Sequence, residues 1–375
     1  MHTITERETL PWNALLALTT TAFLTVLTEN IPAGLLPAMA AGLGVSLAVA
    51  GQSVTIFALG TVATAIPIMV TTSAWNRKRL LSLVIVGFIV ANAITALSGL
   101  YWLTLLARLL GGVAAGLVWS LQAGFARRLS PPQLRGRAIA VAMAGIPLAL
   151  ALGIPAGTLL GNALGWQATF WTISALGVAL LIWITLAVPD HPGSPASDRP
   201  TVRRTLAVPG ITASLLITSL FVLAHFGLYT YVAPVLRWRG MGEQVDLALL
   251  VYGIAGVAGL LITGTLIDGR VRVLTAGGVA LILVAGLALV GPVPTLVTMV
   301  VWGLGFGGLP ALSQAAIAHA EGDTAQAVLV TLWNLATAVG GLVGGLLLSG
   351  FGAGAVPWLV PVLLVPALWL LWRRG

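Results

Sequence analysis

The chain has no cysteine, which removes a disulfide framework, a thiol nucleophile and any Cys-ligated metal centre. Charge is nearly as scarce: Asp, Glu, Lys and Arg make up 7% of the 375 residues, against about 25% in an ordinary soluble domain. So few ionic groups cannot cover a water-facing surface, so a soluble enzyme is excluded. No H-E-x-x-H pair, Walker-type phosphate loop or histidine cluster occurs, so metalloprotease chemistry, ATP-driven pumping and a redox centre lack their parts. No metal, cofactor or nucleic-acid partner is expected.

What the chain does contain is apolar sequence, 58% of all residues. A helix crossing a bilayer needs about 20 such residues. Apolar runs bounded by charges or turns predict twelve spans: 13–36, 46–70, 80–98, 101–126, 137–162, 166–188, 209–236, 246–267, 273–291, 294–318, 325–350 and 355–372. The first run is too long for the apolar region of a secretory signal, carries Glu29 and is followed by many more, so it is read as a span. The one polar, Pro/Ser-rich connection falls at the midpoint. The expected organisation is a six-helix half over 1–188, a linker over 189–208 and a second six-helix half over 209–375.

The basic residues set the orientation. Fifteen of the 18 lie at the termini or in even-numbered connections, and only Arg237 and Arg239 lie in odd-numbered ones. By the positive-inside rule both termini and the linker are expected in the cytoplasm. The eighteenth, Arg108, is inside a span, as is one of the 10 acids, Glu29. A charge at the centre of a spanning helix costs about 2.5–3.5 kcal/mol on insertion scales, so each is a functional candidate, with a purely structural ion pair as the alternative.

The halves repeat weakly. Gly116–Gln122 aligns with Gly308–Gln314, and a similar offset superposes Pro37 on Pro234. Two homologous halves with a site between them near the midplane are the architecture of a secondary transporter. His225 falls near the position equivalent to Thr28 and Glu29, where it could bind substrate, relay a proton or simply pack. Asn30, Gln52, Asn92, Trp119, Gln122, Tyr229, Tyr231, Gln314, Trp333 and Asn334 are the other polar or aromatic groups at membrane depth, a lining suited to a hydroxyl-rich or amphipathic solute. In the fifth span Gly145, Ala149, Gly153, Gly157 and Gly161 recur every fourth residue with Pro147 and Pro155 between them, a stripe that permits close helix packing.

These features together resemble the major facilitator superfamily, in particular its twelve-span drug/proton antiporter branch. Thr28–Pro37, Gly165–Phe170 and His225–Tyr231 are similar to bacterial sugar (arabinose) efflux permeases and their nucleoside-exporting relatives. Arg77 and Lys78 match the basic pair of the family's cytoplasmic signature, although Met69 and Ser73 replace its first Gly and its Asp. The second copy keeps Gly264, Asp268 and Arg272. Arg108 and Gly112 fit the fourth-span Arg-x-x-x-Gly motif, whose arginine the resemblance ties to proton coupling. Gly153-Ile154-Pro155-Ala156-Gly157 is a variant of the antiporter signature, which the resemblance makes a hinge or leak seal.

The resemblance implies an all-α membrane protein of twelve helices in two pseudo-symmetric halves, monomeric, in the bacterial inner membrane. It would export a small solute, a sugar, nucleoside or drug-like molecule, in exchange for protons. Glu29, Arg108 and His225 would carry the coupling, with the proton gradient as energy source. A sugar/proton symporter or uniporter is the alternative, and a non-transporting receptor the reading from another class. The absence of cysteine makes the topology testable. Single cysteines at Ser197 and Gly240 should label from opposite membrane faces with an impermeant thiol reagent, and labelling of both from one face would exclude twelve spans.

Overall fold

The computed structural model describes residues 10–65, 71–72, 75–131, 134–192, 206–267, 270–317 and 323–372. Met69, Ser73, Ser197 and Asp268 lie outside them. Among the described residues there is no strand, and twelve helices are long and apolar enough to cross a membrane. They are α1 (Trp12–Gly42), α2 (Leu47–Thr64), α3 (Arg77–Leu97), α4 (Tyr101–Arg128), α5 (Arg137–Leu164) and α6 (Trp166–Ala187), then α7 (Ile211–Tyr229), α8 (Gly242–Leu266), α9 (Val271–Val290), α10 (Thr295–Ile317), α11 (Val328–Phe351) and α12 (Ala353–Trp372). Each corresponds to one of the twelve apolar runs, because only a helix satisfies its own backbone in hydrocarbon.

Two boundaries differ from the sequence reading, both through backbone chemistry. α1 does not stop at Leu36 but continues to Gly42, holding Pro32 and Pro37 inside it. The seventh run breaks at Thr230–Tyr231 and resumes as the short helix Val232–Trp238. α5 contains a π turn, Ala149–Gly153, one residue before Pro155. That proline has no N–H to give to Ala151, and a wider turn absorbs the lost bond.

The packing repeats in the two sets of six helices. α2 lies against α4 as α8 lies against α10; α3 contacts α4 and α6 as α9 contacts α10 and α12; α1 contacts α5 and α6 as α7 contacts α11 and α12. Across the middle, α2 meets α11 and α5 meets α8. The most enclosed helix is α1, whereas α6 and α9 turn most of their residues outward. Leu97, Leu106, Leu186 and Leu261 are exposed on that outer surface, as hydrocarbon allows. Trp12, Trp102, Trp238, Trp358 and Trp372 are exposed at helix ends, the level of an interfacial aromatic belt.

Glycine permits the close contacts. A Cβ on Gly112 of α4 would fall 1.9 Å from the Phe57 carbonyl oxygen of α2, and one on Gly307 of α10 equally close to the Gly256 carbonyl of α8. The fifth-span stripe packs on α1: Gly145 faces the Thr19 carbonyl, Gly153 the Phe23 ring, and Gly157 the Ile31 side chain. Gly340 and Gly344 of α11 face backbone carbonyls of α7 in the same manner.

Basic residues of the signature loops close helix ends. The Lys78 ammonium donates to the Thr185 carbonyl at the end of α6 (2.9 Å), and Arg272 donates to the Leu371 (2.9 Å) and Trp372 (3.1 Å) carbonyls at the end of α12. A cation at a helix C-terminus meets unpaired carbonyls and the negative end of the dipole. The two bonds tie the third span to the sixth in each set. Gly264, by contrast, has open space where a Cβ would stand. Gly112→Ala should therefore destabilise by on the order of 1–3 kcal/mol, the range for overpacking, with Gly264→Ala near neutral. Unfolding midpoints of the two purified variants check this.

Candidate functional site

A cavity of about 530 Å³ lies between the two sets of six helices, within the range of small-molecule sites. Helical periodicity selects its walls, since residues three or four apart share a face. α1 contributes Val26, Glu29 and Asn30; α7 contributes His225, Phe226 and Tyr229; α10 contributes Phe306, Pro310 and Gln314; α11 contributes Leu329, Val330, Trp333 and Asn334. Trp119 and Ser120 of α4 and Ile146 and Leu150 of α5 complete it. The cavity reaches Arg77, Arg127 and Arg128 at the end of the bundle that carries the chain termini.

The polar groups on this wall are oriented by bonds made behind it. Asn30 donates its amide to the Val26 carbonyl (3.0 Å) and Asn334 donates to Val330 (2.9 Å). A carbonyl only accepts, so each amide flip is fixed, and neither Oδ1 has a hydrogen bond among the described residues. His225 accepts at Nδ1 from the indole N–H of the fully buried Trp302 (3.0 Å), so the neutral ring carries its proton on Nε2. The imidazole is stacked on Phe306 with centroids 3.6 Å apart and on Tyr229 at 5.3 Å. Those contacts fix the ring in place. The Glu29 side chain makes no hydrogen bond among the described residues and lines the cavity.

Of the predicted lining, Asn30, Trp119, Tyr229, Gln314, Trp333 and Asn334 stand on this wall. Four others do not. Asn92 bonds the Thr28 hydroxyl and the Phe88 carbonyl inside the first set of helices. Gln122 donates to the Leu18 and Ala142 carbonyls, both at 2.9 Å, and so staples α1, α4 and α5. Gln52 and Tyr231 meet at the opposite end of the bundle. Phe226, Phe306 and the supporting Trp302 were not among the candidates; aromatics one helical turn apart at 302 and 306 were the available signal. Arg127 and Arg128, read only as topology charges, reach the cavity mouth.

Arg108 is almost wholly buried and stands behind the wall. Its guanidinium does not form the ion pair considered from sequence: no nitrogen comes within 4.0 Å of the Glu29 carboxyl oxygens. Instead Nη1 donates to the Thr28 carbonyl (2.6 Å), Nη2 to the Glu29 carbonyl (3.0 Å) and Nε to the Ser53 carbonyl (3.4 Å). The Phe57 ring covers its carbon at 4.5 Å.

At the end away from the arginines, Tyr231 joins α2 to α11. Tyr231 is fully buried, its hydroxyl donating to the Gly341 carbonyl of α11 (2.8 Å) and accepting from Gln52 of α2 (3.3 Å). Gly51, Gly344 and Gly345 leave the space its ring occupies. Thr55 of α2 donates to the Ala338 carbonyl (3.3 Å) on the same seam. The cavity is thus closed at this end and extends to arginines at the other.

The chain matches the family model described as Major Facilitator Superfamily over residues 18–323. It is 29% identical over 350 residues, 91% of this chain and 88% of the other, to the purine ribonucleoside efflux pump NepI of Escherichia coli O6:K15:H31. Among solved structures it superposes on the human organic anion transporter TETRAN with TM-score 0.73 and 19% identity, covering 96% of this chain and 99% of that one. It superposes on the E. coli xylose transporter XylE, in a partially occluded inward-open conformation, with TM-score 0.76 and 14% identity, covering 97% and 99%.

Removing the Tyr231 hydroxyl takes one bond from each side of the seam, and a hydrogen bond is worth about 0.5–1.5 kcal/mol net. Tyr231→Phe should therefore raise thiol labelling of a single cysteine at Thr55 by about 2- to 10-fold. An unchanged rate would show that ring packing alone closes this end.

Proposed function

Because the chain belongs to the major facilitator superfamily, and is therefore a multi-pass membrane transporter, we propose that it is a proton-coupled exporter of a purine-ribonucleoside-like solute working by alternating access. The observation that carries the reading is the cavity wall. Glu29 is the one carboxyl group among the described lining residues, and it shares the cavity with Trp333, Phe226 and Phe306 of the other set of helices. Aromatic faces suit a flat base, each stack being worth about 1–3 kcal/mol, and the Oδ1 atoms of Asn30 and Asn334 suit donors on a base or a ribose. The printed name of the E. coli relative supports the same solute class.

With the termini in the cytoplasm, as the basic residues favour, the cavity is in its loading position, open toward the cytoplasm and shut outside by Tyr231. Solute enters among the aromatic rings while Glu29 is protonated, and its arrival drives the proton inward. Closure at the arginine end and opening of the α2–α11 seam then present the solute outside, where a proton on Glu29 displaces it. His225, with Nδ1 committed to Trp302, serves as a fixed Nε2–H donor to the solute. The expected place is the bacterial inner membrane and the expected unit a monomer.

One pH unit across the membrane supplies about 1.4 kcal/mol per proton, which is lost if the carrier cannot titrate. Glu29→Gln keeps the shape of the protonated acid, the form from which solute is displaced, so it should fold but bind solute more weakly and fail to concentrate it against a gradient. Vesicles with an imposed pH gradient, tested with guanosine, adenosine, uridine and xylose, check both halves of the reading. Full uphill transport by Glu29→Gln would remove Glu29 as carrier. Gradient-independent flux would make the protein a uniporter, and solute movement with the proton would make it a symporter.

A further inference from the structure

α1 carries a proline in its buried middle. Pro32 has no N–H, so the carbonyl four residues earlier, that of Thr28, loses its helical partner. Thr28 is buried, as are its neighbours from Leu24 to Leu36, and an unpaired carbonyl there has no solvent to turn to. The donor comes from another helix. Arg108 of α4 places Nη1 on the Thr28 oxygen at 2.6 Å, the shorter of its two bonds to α1. Its second terminal nitrogen takes the next carbonyl, Glu29, and its Nε holds Ser53 of α2.

We propose that Arg108 is a positioning residue that replaces the hydrogen bond lost at Pro32, and that by gripping the carbonyls of Thr28 and Glu29 it fixes the direction in which the Glu29 side chain leaves α1. The planar fork of a guanidinium spans two successive carbonyls, which a compact ammonium cannot do with the same geometry. Gly112, one turn after Arg108, brings α2 so close that Phe57 lies on the guanidinium face and holds it flat. Asn92 of α3 grips the hydroxyl of the same Thr28 (3.3 Å), so α3 and α4 both converge on the residue whose carbonyl Pro32 frees. The side chain of Glu29, one residue on, is left to the cavity. Arg108 thus acts on coupling through the backbone of α1 and not as the counter-ion of the carboxyl. The link to coupling rests on Glu29 being the proton carrier; the surrogate bond and the direction of residue 29 do not.

The test is a double-variant cycle on the whole cysteine-free chain of 375 residues. Pro32→Ala restores an N–H to Thr28, so it should make Arg108 dispensable. Arg108→Leu should lower the unfolding midpoint, and adding Pro32→Ala should recover most of the loss. In parallel, a single Glu29→Cys substitution reports where position 29 faces. Its labelling by a soluble thiol reagent should slow several-fold with Arg108→Leu and return to within about twofold of the original rate in the Pro32→Ala background. If Arg108→Leu alone gives no folded protein, recovery of folded protein by Pro32→Ala is the supporting result. A double variant no better than Arg108→Leu, or an Arg108→Leu variant with unchanged midpoint and labelling, overturns the proposal. Uphill export by Glu29→Gln beside a positive labelling cycle would instead reject the proton-carrier role and leave the positioning role standing.

Discussion

Within a bilayer every backbone carbonyl must find its donor inside the protein, and many of the side-chain bonds in this molecule answer that demand. Arg108 donates to three carbonyls, Gln122 to two, Tyr231 to Gly341, Thr61 to Gly112, and Thr19 to Val141. Lys78 and Arg272 do the same for the carbonyls at the ends of α6 and α12. The polar residues of a chain with so little charge are chiefly spent on backbone. An unsatisfied group in hydrocarbon costs several kcal/mol, so a carbonyl freed by a proline or exposed at a helix end draws a donor from a neighbouring helix. This constraint decides which helices touch.

Glycine supplies the other half of the architecture. Without a hydrophobic force between helices in lipid, association relies on close van der Waals contact, and the α2–α4 and α8–α10 pairs achieve it by laying glycine on carbonyl. The same small-residue pairing recurs between α5 and α1 and between α11 and α7, so each set of six is built on one plan. The seams between the sets, α2 with α11 and α5 with α8, are of another kind. One is fastened by Tyr231, Gln52 and Thr55, and the other seats Gly253 against the π turn of α5.

The repeat in the sequence has diverged in use. Gln122 and Gln314 occupy matched places in Gly116–Gln122 and Gly308–Gln314, yet the first bonds two helices together and the second faces the cavity. Thr28 and His225 are matched likewise. The threonine accepts Asn92 and gives its carbonyl to Arg108, while the histidine is fixed by Trp302 and Phe306 with one nitrogen left over. A pseudo-symmetric frame therefore encloses an asymmetric cavity, with the acid on one wall, most of the aromatic rings on the other, and amides on both.

The sequence by itself determined the class, the twelve spans and the residues to watch. A run of twenty apolar residues has one stable form in hydrocarbon, and a lone acid or base inside such a run is too costly to be incidental. Sequence also marked the glycine stripe, whose spacing is a statement about one helix face. Only the tertiary structure decided the partners. Arg108 and Glu29 are a plausible ion pair on any one-dimensional reading, and the choice of the Thr28 carbonyl over the Glu29 carboxyl depends on where α4 crosses the proline of α1. Gln52 and Tyr231 fell among cavity candidates because depth in the membrane is legible from sequence, whereas the direction a side chain faces is set by neighbours more than a hundred residues away. Helices follow from local composition; the donor that each freed carbonyl finds follows from the crossing of helices, which local composition does not contain.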